Sequence, residues 1–205
     1  MIDTRLREMI DPVLNPVGAA LARRGVAADH LTLLGLGLGI GAGIAAAFGA
    51  FLTALLLILA NRLCDGLDGA IAKTAGRTEA GGFLDITCDF VFYGAVPLGF
   101  ALHEPELYGL PAAALLFSFY VNGSAFLAYA TLAARHPEIG ETPEAKSFHY
   151  MWGLAEGAET ILFFAVVTLM PLLFPTLAVV FAIGCLISGA ARIATGYRAA
   201  RALNL

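Results

Sequence analysis

LCDGLDGAIAKTAGRTEAGGFLDITCDF, residues 63–90, carries four aspartates, Asp65, Asp68, Asp85 and Asp89, between two long apolar runs. Whether this stretch folds back on itself decides the fold. The run before it ends near Lys73, the run after it starts near Gly82, and a polar break surrounds Arg77. Reversing the chain about Arg77 puts Asp65 level with Asp89 and Asp68 level with Asp85. Within each helix the acids lie three or four residues apart and share a face. Eight residues of helix rise about 12 Å, so the four carboxylates cluster within the helical layer and not at its margin.

The rest of the chain sets the surroundings. Of 205 residues, 59% are hydrophobic and only 14% charged, with mean hydropathy +0.80. Soluble domains are nearer a quarter charged, so this composition points to an integral membrane protein. A crossing helix needs about 20 mostly apolar residues. Six such runs lie near 31–49, 52–73, 82–103, 109–133, 148–170 and 175–198. The expected fold is all-α and polytopic, with six transmembrane helices. All twelve Lys and Arg residues then fall toward one face, and the three opposite loops carry none. Positive charge stays cytoplasmic, which predicts a multi-pass protein of the inner (cytoplasmic) membrane. Both termini and the 74–81 and 134–147 loops would face the cytoplasm. A basic nucleic-acid footprint is absent, so no nucleic-acid partner is expected.

Residues 1–28 form a separate segment ahead of a membrane domain at 29–205. Ile2, Leu6, Met9, Val13, Val17 and Leu21 recur at helical spacing with arginines between and beyond them, the pattern of an amphipathic interfacial helix on the cytoplasmic face. Asp11-Pro12 makes a cap and first-turn pair, which predicts two short helices here. The acids and the missing apolar core of this segment argue against a cleaved signal peptide. In the first crossing, Gly35, Gly39 and Gly43 make one small-residue stripe and Gly37 and Gly41 another, suited to close helix contact. A nucleotide-binding glycine loop fits poorly, since no strand precedes it. Cys64, Cys88 and Cys185 lie in apolar runs and read as small core residues.

Four carboxylates within a bilayer would repel one another or take up protons. Divalent cations remove that conflict. Hard oxygen donors suit Mg²⁺, Mn²⁺ or Ca²⁺, and four carboxylates can hold two such ions about 4 Å apart, as in phosphoryl chemistry. The plain alternative is salt bridging, for which only Arg62, Lys73 and Arg77 are near in sequence. Gly69 follows Asp68 inside a helix, where glycine costs about 1 kcal/mol; close approach of a ligand to the backbone would explain it.

The quoted stretch resembles the signature of the CDP-alcohol phosphotransferases, D-x-x-D-G-x-x-A-R followed by G-x-x-x-D-x-x-x-D. Here it reads Asp65, Asp68, Gly69, Ala72, Lys73, then Gly81, Asp85 and Asp89. DHLTLLGL, residues 29–36, is similar to the family's entry into the first crossing. Lys73 stands where the family has arginine, and seven residues separate it from Gly81. Lysine keeps the charge but loses the fork that grips phosphate. The resemblance implies a transferase of phospholipid biosynthesis. A CDP-linked donor, usually CDP-diacylglycerol, would lose CMP as an alcohol attacks its β-phosphorus. Asp65, Asp68, Asp85 and Asp89 would be the metal residues, with Asp89 also the general base. Asp68, Gly69, Ala72, Lys73 and Gly81 would surround the donor. Family members are commonly homodimers, so a second copy is the expected partner.

The acceptor alcohol is less legible. KSFHYMWGLAEGAET, residues 146–160, is the other polar stretch. Glu156 and Glu159 would favour an amine or polyol; Lys146 and Arg192, with Arg135, would favour a phosphate. These four, Lys146, Glu156, Glu159 and Arg192, are the acceptor candidates. An Arg62–Glu ion pair is the structural alternative for the glutamates. Three rival functions stay in view. An intramembrane Mg²⁺-dependent prenyltransferase needs a second aspartate-rich motif, and residues 90–205 contain no aspartate. A divalent-cation transporter needs a polar path through the outer half. A non-catalytic membrane scaffold has no need of four aspartates.

Overall fold

A computed structural model of the chain describes residues 2–141 and 157–202. Helix α1 spans Ile2–Arg23, α2 Ala28–Ala47, α3 Phe51–Ala75, α4 Glu79–His103 and α5 Pro105–Arg135, and a 3-10 turn follows at Pro137–Glu141. Further on, α6 covers Gly157–Leu169, a second 3-10 turn Pro171–Leu173, and α7 Phe174–Ala202. There is no strand among the described residues. The protein is an all-α membrane protein.

Among the described residues, four stretches are long and apolar enough to cross a membrane: Ala28–Ala47, Glu79–His103, Pro105–Arg135 and Pro171–Ala202. Helix α3 has the length, at 25 residues, but carries Arg62, Asp65, Asp68 and Lys73 in its second half. Helix α6 shows 13 residues. Within the described residues, length and hydropathy therefore support four of the six expected crossings, and the expected run 148–170 lies partly outside those residues. The shortfall at α3 arises from the polar stretch itself, because the same residues that make it interesting lower its hydropathy.

Close backbone packing positions the helices. A Cβ on Gly43 would lie 2.5 Å from the Ala95 carbonyl oxygen, and one on Gly39 would lie 2.8 Å from the Phe92 ring. The stripe seen in the sequence thus faces α4, while a Cβ on Gly35 would touch Cys64 and Asn61 of α3. Gly99 of α4 in turn meets the Gly43 backbone. Leucines such as Leu52, Leu56, Leu59 and Leu63 point outward and stay exposed, whereas Ala42, Ala46, Ala54 and Ile58 are buried. Small residues inside and large ones outside are the pattern for helices packed in lipid. At the end of the bundle near the α4–α5 turn, aromatic rings fill the core. Phe100 stacks on Phe174 with centroids 4.2 Å apart, and Phe51 and Tyr108 close around Phe100.

Helix α1 departs from expectation. It runs unbroken from Ile2 to Arg23 through Pro12 and Pro16, in place of two short helices. Contact with α3 accounts for its continuity. Gly18 is buried against Ala70, Gly66 of α3 packs on Leu14, and Lys73 binds Asp11 at 2.5 Å. Ile10, Val13 and Val17 remain exposed on the other side.

Candidate functional site

The quoted stretch folds as a helical hairpin. Helix α3 ends at Ala75; Gly76 takes φ +99°, a left-handed value that favours glycine. Thr78 then caps α4, its Oγ1 accepting a 3.0 Å hydrogen bond from the Gly81 N–H. The turn is only Gly76-Arg77-Thr78, centred where the sequence placed it. Antiparallel helices joined so tightly carry residues equidistant from the turn to matching depths.

All four aspartates line one pocket, with Thr32, Gly35 and Leu36 of α2 as its third wall. Asp65, Asp68 and Asp85 come closest, each offering a carboxylate oxygen within 4.8 Å of the other two. Asp68 is buried and accepts a 2.7 Å hydrogen bond from the Thr32 hydroxyl. Asp89 lies to one side, 2.8 Å from a terminal nitrogen of Arg62. The other terminal nitrogen of Arg62 is 3.6 Å from Asp65. The structure thus pairs Arg62 with two aspartates of the quoted stretch. Asn61 completes the layer, donating to the Gly35 carbonyl at 2.7 Å and accepting from Arg62 Nε at 2.7 Å.

The charge balance is lopsided: among the lining residues four are acidic and one is basic. Such a group in a membrane domain calls for added positive charge. The oxygen-only donor set of Asp65, Asp68 and Asp85 fits a hard divalent ion, Mg²⁺ or Mn²⁺.

The donor-side residues spread along the same hairpin. Gly69 is exposed, and a Cβ built there meets no atom within 4 Å. The protein does not need a glycine there for packing. Ala72 is half-buried. A Cβ on Gly81 would lie 3.0 Å from Thr78 Oγ1 and 3.3 Å from Asp29 Oδ1, so Gly81 serves the turn. Lys73 points to Asp11 of α1 and does not line the pocket.

Of the four acceptor candidates, Glu159 and Arg192 fall among the described residues. Glu159 is half-buried in the first turn of α6. Arg192 is buried in α7 with its guanidinium 5.4 Å from the Phe126 ring centroid. Neither lines the aspartate pocket. Lys146 and Glu156 lie outside the described residues. Sequence reasoning gave no role to Thr32 or Asn61, although Thr32 sits in the quoted DHLTLLGL and Asn61-Arg62 is a polar pair one turn before Asp65.

Known proteins fit this picture. The E. coli K12 inner membrane protein YnjF is 44% identical over 204 residues, covering 100% of this chain and 99% of its own. A phosphatidylinositol phosphate synthase of Streptomyces avermitilis is 38% identical over 104 residues, covering 50% of this chain and 43% of its own. The solved phosphatidylinositol phosphate synthase of Mycobacterium tuberculosis with CDP-DAG bound shares the fold, with TM-score 0.71 at 20% identity over 91% of this chain and 94% of that one. The same protein has also been solved in complex with manganese and citrate, with TM-score 0.65 at 21% identity over 90% of this chain and 89% of that one. The family model for CDP-alcohol phosphatidyltransferase matches residues 25–195, and the chain belongs to that family.

Proposed function

We propose that this protein transfers a phosphatidyl group, or another substituted phosphate, from a CDP-linked donor to an alcohol and releases CMP. CDP-diacylglycerol is the donor of choice. The observation that carries the reading is the group Asp65, Asp68 and Asp85, three carboxylates within 4.8 Å in a membrane-embedded hairpin, with Asp89 beside them.

Two divalent ions, held by Asp65, Asp68 and Asp85 with Asp89 at the edge, would supply positive charge to the donor diphosphate. The chain's own residues do the rest. Gly69, open on its outer face, lets the diphosphate lie against the α3 backbone. Thr32 fixes the Asp68 carboxylate through its 2.7 Å hydrogen bond. Asp89 accepts the proton of the acceptor hydroxyl as that oxygen bonds to the β-phosphorus. The bond from the β-phosphorus to the CMP oxygen breaks, and CMP leaves with its electron pair. A pocket set in the membrane layer admits a lipid donor from the side and lets CMP depart to the aqueous face.

The stacked rings of Phe100 and Phe174 fill the opposite end of the bundle, which disfavours an ion path across the membrane. A prenyltransferase lacks its second aspartate motif here. On the acceptor side, Arg192 favours a phosphate-bearing alcohol and Glu159 an amine or polyol, with Lys146 and Glu156 as further candidates. The protein belongs in the cytoplasmic membrane with both termini inside, a placement supported by the name of its E. coli relative and by the distribution of basic residues. The family resemblance adds a homodimer.

The test is CMP release by purified protein given CDP-diacylglycerol, Mg²⁺ or Mn²⁺ and a panel of alcohols and alcohol phosphates. Metal-dependent release that stops in Asp65→Ala is expected. No release and no donor binding with any acceptor would overturn the proposal.

A further inference from the structure

Arg62 is held more firmly than a surface arginine. Its Nε donates to Asn61 Oδ1 at 2.7 Å, and Asn61 is itself buried and tied to the Gly35 carbonyl at 2.7 Å. Its guanidinium sits over the Phe92 ring, 4.8 Å from the centroid, and Phe92 is fully buried. One terminal nitrogen meets Asp89 Oδ1 at 2.8 Å and the other lies 3.6 Å from Asp65 Oδ2. Guanidinium is planar and keeps its charge, so this is a fixed cation with fixed directions. Asp89 is level with Asp65 by register, yet only Asp65, Asp68 and Asp85 close to within 4.8 Å of one another. Asp89 takes the 2.8 Å hydrogen bond from Arg62, whereas Asp65 stands 3.6 Å from the other terminal nitrogen.

We infer that Arg62 is a positioning residue: it holds Asp89 apart from the three clustered carboxylates, so that ions gather on Asp65, Asp68 and Asp85 while Asp89 keeps one oxygen for the acceptor hydroxyl. The bond engages Oδ1 and leaves Oδ2. Asn61 and Phe92 act one step further back, since they aim the guanidinium. This inference rests on the proposed function for its kinetic consequence, but not for its geometric one.

Two measurements test it on the full chain in detergent or lipid nanodiscs. The first is Mn²⁺ binding, read by the loss of the free-ion paramagnetic resonance signal, for wild type, Arg62→Gln, Asp89→Asn and the double variant. Losing a positive charge beside Asp65 raises Mn²⁺ affinity whatever Asp89 does, so the coupling between the two sites carries the information. If Arg62 holds Asp89 away, Asp89→Asn changes Mn²⁺ affinity little in the wild type. In the Arg62→Gln background, where Asp89 is released to join the cluster, it lowers affinity at least about tenfold. Additive effects overturn the inference. Loss of all Mn²⁺ binding in Arg62→Gln also overturns it, because Arg62 would then hold the cluster together. The second measurement is CMP release. Misplacing a reacting group by about 1 Å costs on the order of a hundredfold. Arg62→Gln should lose that much kcat with donor KM within about threefold, and Arg62→Lys should regain part of it. Wild-type kcat in Arg62→Gln overturns the inference. If the wild type itself releases no CMP, the proposed function fails, and the Mn²⁺ cycle alone decides the role of Arg62.

Discussion

Replacing Gly69 by alanine adds one methyl group to α3 at a point where the protein offers no obstruction, since no atom lies within 4 Å of the new Cβ. The helix itself gains, because alanine is better than glycine in a helix interior by about 1 kcal/mol. A donor diphosphate lying against the backbone at this residue would meet the methyl group. Stability and donor binding should therefore move in opposite directions: a small rise in the unfolding temperature, and a donor KM higher by about tenfold or more. Gly43→Ala is the control. There the Cβ would sit 2.5 Å from the Ala95 carbonyl oxygen and 2.8 Å from its carbon. Helices α2 and α4 must separate, and overpacking of this kind costs about 1–3 kcal/mol. Thermal unfolding followed with a thiol-reactive dye suits both variants, because Cys64, Cys88 and Cys185 are all buried. CMP release at varied CDP-diacylglycerol gives the KM. A wild-type donor KM in Gly69→Ala would refute the reasoning, since the donor then does not approach α3 at that residue.

Other perturbations read other parts of the site. Asp89→Asn should leave donor binding largely intact while kcat falls about 10²- to 10⁴-fold, the usual contribution of a general base; survival of turnover removes Asp89 from that role. Thr32→Val deletes the 2.7 Å bond to buried Asp68, at a cost of about 1.5–3 kcal/mol for a hydrogen bond to a charged group. Unfolding temperature and Mn²⁺ affinity should both fall in that variant, and an unchanged pair of values contradicts it. Stripping divalent ions with EDTA should abolish CMP release, and added Mg²⁺ or Mn²⁺ should restore it; release that persists in EDTA argues against metal chemistry. A reporter fused after Leu205 should be active only if it functions in the cytoplasm, and activity of a periplasm-dependent reporter there contradicts the expected orientation.

The parts of this molecule that follow one-dimensional rules were legible in the sequence. Helix positions follow apolar run length, and the depth of each aspartate follows its count from Arg77. The turn was placed about Arg77, and the structure shows a left-handed Gly76 and the α4 cap Thr78 on either side of it. Rotation about the helix axis is not one-dimensional. Register alone pairs Asp65 with Asp89 and Asp68 with Asp85, but the close group is Asp65, Asp68 and Asp85. That outcome depends on side-chain direction, both through how α3 and α4 turn against α2 at contacts such as Gly43 on Ala95 and Gly39 on Phe92 and through partners such as Arg62 on Asp89. The contact of Lys73 with Asp11 was not legible for a related reason. Its partner Asp11 lies 62 residues earlier in sequence, in a helix whose docking on α3 depends on Gly18 meeting Ala70 and Leu14 meeting Gly66. The unbroken course of α1 through two prolines has the same origin in tertiary contact.

Placement more than number limits the ion pairing that the three nearby cations supply. Three cations, Arg62, Lys73 and Arg77, are near the aspartates in sequence, and full neutralisation would need four. Arg62 alone of these lines the pocket. Lys73 is drawn to Asp11, and Arg77 sits in the turn. A guanidinium with its rigid fork can satisfy one corner well and reach little further. Placed between Asp65 and Asp89, it leaves the charge of the remaining carboxylates concentrated on one side of the pocket. That asymmetry is useful for group transfer. A site neutralised evenly by arginines would hold an anion but supply no base. Here the fold provides one fixed cation and one carboxylate turned toward it. Beside them lies a cluster of acids whose charge an added divalent ion can balance, in the membrane layer where a lipid diphosphate arrives.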